Sequence, residues 1–122
     1  VSCLALHHLE FSNRVKLYRQ IYQVLPQGSF FINCDMFRCD SGILNAWEFD
    51  NWITWMVDSF KNQLDETKSF AELKRSELEA AQTMGDKPGT LWEMYADLKT
   101  AGFSKVDCLF KNQNLAVVVA TK

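Results

Sequence analysis

The run Leu-Ala-Val-Val-Val-Ala at 115–120 is apolar at every position and rich in β-branched residues. Such a run is a strand with both faces apolar, because successive side chains point to opposite sides of a sheet. It has too few polar residues for an edge strand facing water, so it is expected inside a sheet. Phe103–Phe110 shows partial alternation, and the polar tetrad Lys111-Asn112-Gln113-Asn114 joins the two segments as a hairpin turn.

The rest of the chain supplies helices and further strands. Val1–Leu6 reads as the end of a buried strand. Ser12-Asn13 then offers an N-cap, and Val15, Tyr18, Tyr22 and Leu25 recur at helical spacing. Pro26 and Gly28 stop that helix, and Ser29–Cys34 is a short apolar strand bounded by turn residues. Strand, helix, strand in this order is a βαβ pattern. Asp40-Ser41-Gly42 makes a break, after which Trp47, Trp52, Trp55, Met56 and Phe60 predict a helix from Ile43 to about Leu64 with a broad apolar face. Ser69 with Glu72, and Thr90 with Glu93, are capping-box spacings that open two more helices. The first runs to Met84, before the loop Gly85–Gly89. The second carries Leu91, Met94, Tyr95 and Leu98 on one face and ends at Gly102. The expected fold class is α/β: one layered unit ending in an antiparallel hairpin, with a helical insert at about 41–88.

Composition narrows the function classes. Of 122 residues, 48% are hydrophobic and 23% charged, the make-up of a globular domain large enough to bury a core without metals or disulfides. A formal charge of −2, with no Lys/Arg run, provides no basic field for nucleic acid or anionic lipid. The most apolar stretch, Ile43–Phe60, is interrupted by Glu48, Asp50 and Asp58, so no membrane span is expected. The charged stretch Glu66–Glu79 reads as a solvated helix face. Cys3, Cys34, Cys39 and Cys108 form no Cys-x-x-Cys pair, which points to reduced, mostly buried thiols in a cytoplasmic protein and to no metal site. The chain starts without Met inside an apolar run and is expected to be part of a longer protein.

Two stretches carry a family resemblance. Ser2–Leu9 (Ser-x-Leu-Ala-Leu-His-His-Leu), an amphipathic helix, then Leu25–Gly28 before an apolar strand ending in Asp35, resembles the fourth strand, following helix and fifth strand of class I S-adenosylmethionine-dependent methyltransferases. The tail Leu98-Lys-Thr-Ala-Gly-Phe103 with the two closing strands resembles their last helix and antiparallel hairpin. The Leu9–Arg14 turn (Leu-Glu-x-Ser-x-Arg), Asp35 with Phe37, and the long insert are nearest in layout to small bacterial methyltransferases, a group that includes the carboxy-S-adenosylmethionine synthase of tRNA wobble-uridine modification. The turn Leu25-Pro-Gln-Gly-Ser29 departs from that group's Leu-x-Pro-Gly-Gly. The resemblance implies S-adenosylmethionine as cofactor of the intact protein. None of Gly28, Gly42, Gly85, Gly89 and Gly102 forms the Gly-x-Gly loop on which that cofactor rests, so the cofactor half is expected to lie outside this chain.

The resemblance also places the candidate residues. Cys3, Leu4 and Ala5 would lie beside the methionine moiety of the cofactor, partly through backbone. His8 and Asp35 are the catalytic candidates: imidazole titrates near neutrality, and a carboxylate at a strand end can orient a nucleophile. Their bland alternatives are packing under the helix start for one of the two histidines and, for Asp35, a turn carboxylate accepting backbone N–H bonds. His7, Phe37, Trp47, Trp52 and Trp55 would face the substrate or form a lid, though an aromatic stripe at helical spacing is more often core or interface. The implied function is methyl transfer to an unidentified acceptor, either a small molecule or a tRNA-pathway substrate. The isolated chain is expected to be inactive and to self-associate or pair with the cofactor half. The alternative is a non-catalytic, methyltransferase-like interaction module.

Overall fold

The computed structural model describes residues 1–64 and 67–122. It divides into two compact units, residues 1–38 with 87–122, and Cys39–Asp86. Glu66, at the start of the expected charged face, lies outside the described residues.

The first unit is a four-stranded mixed sheet with strand order β1-β2-β4-β3. β1 (Ser2–Cys3) runs parallel to β2 (Phe30–Met36), while β4 (Leu115–Thr121) is antiparallel to both β2 and β3 (Lys105–Asn112). The apolar run is therefore an interior strand, as its two-sided pattern requires. β1 is shorter than the predicted Val1–Leu6, because Leu4 turns into the left-handed region at φ 48° and Leu6–His8 winds into a 3-10 turn. β2 outruns its predicted end at Cys34, since its ladder with β4 continues to the Met36–Leu115 pair. The hairpin turn is only Gln113-Asn114, with Gln113 at φ 52°, and a register shift between Cys108 and Phe110 interrupts β3.

Helix α1 (Phe11–Val24) begins before the predicted Ser12-Asn13 cap. Its first turn closes on the Glu10 carbonyl, which accepts from the Asn13 and Arg14 amides, so no side-chain cap is needed. α1 packs with the last helix, Leu91–Ala101, on one sheet face. Tyr18, Met94, Leu98 and Ala101 meet Phe31, Ala116, Val118 and Ala120 in the core. Gly102 stops the last helix at φ 117°, and a Cβ there would lie 2.9 Å from the Tyr22 ring, so both conformation and space demand glycine. Phe103 then drops into the core, 2% exposed, edge-on to Tyr22 at 5.2 Å.

The second unit holds α2 (Gly42–Leu64) and α3 (Phe70–Met84), which pack on each other; the helix Leu91–Ala101 is thus α4. Ile53 and Leu73 are buried, and Lys74 reaches Asp50 at 2.5 Å. Both predicted capping boxes are present, on α3 and on α4. The broad apolar face predicted for α2 is not uniformly buried: Trp47 and Trp55 are exposed, while Trp52 and Met56 are half-buried.

Phe103→Ala removes the ring on which α4, α1 and β2 converge. We expect a loss of about 3–5 kcal/mol in urea unfolding, with little change in the slope.

Candidate functional site

In open α/β sheets ligands sit beyond the carboxyl ends of the parallel strands. Here those ends are Cys3 and Met36, and the crest above them is Leu4–His8. Cys3, Leu4 and Ala5 are exposed on it. The Leu4 amide still donates to the Cys34 carbonyl at 2.8 Å, so the crest leaves the sheet only after one further ladder bond.

Asp35 gathers this crest. Its carboxylate, 2% exposed, accepts from the Leu6 amide at 3.0 Å and from the Met36 amide at 2.9 Å. His7 Nδ1 lies 2.5 Å from Asp35 Oδ1. A carboxylate accepts, so we assign the proton to Nδ1 and the basic lone pair to Nε2. His7 is buried, and the exposed His8 stacks against it with ring centroids 4.0 Å apart. Of the two neighbouring histidines it is thus His7, placed by sequence on the substrate side, that meets the carboxylate, and His8 that points outward. Phe37, two residues beyond Asp35, is buried in the core, and its amide donates to the Asn114 carbonyl. Trp47, Trp52 and Trp55 all belong to the second unit.

Residues not singled out from the sequence complete the site. Arg14, 7% exposed, donates from Nε to the Leu9 carbonyl at 3.1 Å and from Nη2 to the Lys87 and His7 carbonyls. Those bonds tie the 3-10 turn to the segment before α4. Asn33 Nδ2 reaches Asp35 Oδ2 at 3.4 Å, whereas its buried Oδ1 has no hydrogen-bond partner among the described residues. Arg14, Tyr18, Asn33, Asp35, Thr90 and Asp97 line a small cavity whose space for a water's centre is about 20 Å³, enough for one molecule. Burial holds the Asp97 carboxyl above its ordinary range, partly opposed by the Arg14 charge. Burial likewise pushes the Tyr18 phenol up to about 12, with Arg14 opposing and Asp97 and Asp35 reinforcing. A signal for Arg14 existed in the sequence: it lies four residues before Tyr18, on the helix's buried side, where a charge needs partners.

No family model matches the chain, and no curated protein matches it by sequence. Solved structures do. PigF with SAH superposes on 98% of the chain at a TM-score of 0.58 and 15% identity. A putative O-methyltransferase from Nostoc punctiforme does so over 98% at 0.55 and 20% identity. An O-methyltransferase family 2 protein from Planctomyces limnophilus, in complex with apigenin, matches 98% at 0.59 and 15% identity. The chain spans only 29–30% of the length of these three. The fold is therefore a methyltransferase-like α/β fold: a partial mixed sheet closed by an antiparallel hairpin.

Tyr18 gives this buried cluster a spectroscopic handle. Its folded-state value lies above the ordinary 10.0, so its contribution to stability is full below pH 10 and is lost as pH rises through about 12. Absorbance titration of the phenols should show a late phenolate step that Tyr18→Phe removes, beside that of Tyr95, whose phenol burial also raises, and that variant should lose less stability between pH 10 and 12.

Proposed function

We propose that this chain forms the acceptor-side wall of an S-adenosylmethionine-dependent methyltransferase acting on a hydroxyl group. The observation that carries the reading is the His7–Asp35 pair, 2.5 Å apart at the carboxyl ends of the parallel strands. The cofactor supplies an electrophilic methyl group on a sulfonium. The exposed crest Cys3–Ala5 fits against such a ligand as one wall, but this chain has no Gly-x-Gly loop to hold its remainder. Asp35 fixes the His7 ring and stabilises the imidazolium, so that Nε2 takes the proton from the acceptor hydroxyl as the oxygen becomes nucleophilic. His8, on the outer side of His7, shields that ring. Trp47, Trp52 and Trp55 are the lid candidates. The two named O-methyltransferases of the same fold support an oxygen acceptor. Carboxy-S-adenosylmethionine chemistry on a tRNA-pathway substrate is the finer reading of the Leu9–Arg14 turn, and nothing in the site's geometry favours it. We place the protein in the cytoplasm, in keeping with four cysteines outside disulfides. Among the described residues no helix is long and apolar enough to cross a membrane.

The same reading specifies a partner. α1 and α4 cover one sheet face, whereas on the other Ile32, Val117 and Val119 are half-buried and Phe30 and Leu109 are exposed. Among the described residues β1 pairs on one side only. We infer that a cofactor-binding half covers this face and extends the sheet at β1, with self-association the outcome when that half is missing. Sedimentation of the 122-residue chain should show association together with apolar-dye binding. A monodisperse monomer that binds no dye would count against the inference.

Calorimetry should detect no micromolar binding of S-adenosylmethionine to the isolated chain. In a longer protein carrying the cofactor loop, His7→Gln and Asp35→Asn should lower kcat for a hydroxyl acceptor about 10²–10⁴-fold. Cofactor affinity should stay unchanged in His7→Gln, which leaves the Asp35 bonds to the Leu6 and Met36 amides in place, and the base-dependent limb of the pH profile should disappear. Unaltered kcat in both variants would reduce the pair to a structural clamp.

A further inference from the structure

Cys3 and Cys34 stand opposite each other on the adjacent parallel strands β1 and β2, in direct register. Neighbouring strands lie about 4.8 Å apart, inside the Cα separation that a disulfide accepts. On β2 the side chains of Phe31, Asn33 and Asp35 point into the α1–α4 layer, so Cys34 points to the opposite face, and Cys3, its in-register neighbour on the parallel strand, lies beside it. Cys3 is exposed and Cys34 half-buried. Neither thiol has a part in the His7–Asp35 pair.

We propose that Cys3 and Cys34 are a dithiol–disulfide pair, open to exchange with a small disulfide such as oxidised glutathione, which clamps the β1 edge to β2. Cys3 is the attacking thiol because it is the accessible one. Its thiolate bonds to one sulfur of oxidised glutathione, the S–S bond breaks, and one glutathione thiolate leaves and takes up a proton. Burial and the neighbouring Cys3 thiol push Cys34 up, and Cys34 is the thiol that resolves the mixed disulfide formed beside it. Cys34 then loses its proton to solvent, its sulfur bonds to that of Cys3, and the second glutathione departs as a thiolate that is protonated in turn. Two thiols are oxidised and one glutathione disulfide is reduced to two thiols. The bridge would lie at the sheet's edge, the exposed kind that reductants reopen. Its effect would fall on the crest, since Leu4 follows Cys3 directly and hydrogen-bonds to Cys34.

The test uses the 122-residue chain with oxidised glutathione, thiol counting and peptide mapping. Four titratable thiols should fall to two, with the peptides containing Cys3 and Cys34 linked. Dithiothreitol should restore all four. Cys34→Ser should instead stop at a single glutathione adduct on Cys3, and a Cys39→Ser, Cys108→Ser double variant should still form the bridge. Hydrogen exchange at the Leu4 amide should slow on oxidation. Four thiols persisting, a bridge through Cys39 or Cys108, or only intermolecular disulfides would each overturn the proposal. None of these outcomes depends on whether the chain takes part in methyl transfer.

Discussion

A carboxylate almost without water must find its hydrogen bonds inside the protein, and Asp35 finds them across a chain reversal. The Leu6 amide and His7 Nδ1 come from the turn after β1, and the Met36 amide from its own strand. The ends of two parallel strands are thereby joined by one side chain. Removing that charge would leave the amides and the imidazole unsatisfied together, which is why the crest depends on it more than on any apolar contact. The same bonds present one imidazole in a defined tautomer, so the stabilising contact and the chemical candidate are one object.

Arg14 plays the complementary part from the helix side. Its guanidinium spreads over backbone carbonyls from the 3-10 turn and from the stretch before α4, segments with no ladder of their own. Lysine, a point charge without the planar fork, would serve these directions poorly. Between Arg14 and Asp35 lies the small polar cavity with Asn33 and Asp97, a region of opposed charges inside an otherwise apolar layer. The sheet that carries this cluster is apolar on both faces, yet α1 and α4 cover only one. The chain spans only 29–30% of the length of the three solved structures that share its fold.

Much of this was legible in the residues. The two capping boxes, the interior position of Leu115–Thr121 and the helix stops at Leu25 and Gly102 follow from local rules of hydrogen bonding and backbone sterics. Periodicity placed the tryptophans of α2 on one side but does not tell which of them the fold buries: Trp47 and Trp55 are exposed and Trp52 is half-buried. The strand at the chain's start was overestimated, since apolar content says nothing of the left-handed turn at Leu4 that ends it. The Ser12-Asn13 cap failed because the backbone closes its first helical turn earlier, on the Glu10 carbonyl, and no side-chain cap is made.

The sequence by itself determined the element order, the α/β class and the identities of the titratable groups near the strand ends. These depend on neighbours within a turn or two, or on alternation along a strand. Only the tertiary structure decided that His7 and not His8 meets Asp35, residues 28 apart, and that Cys3 faces Cys34 across the ladder. Such pairings depend on strand register and on the direction of a crossover, which a one-dimensional pattern does not contain.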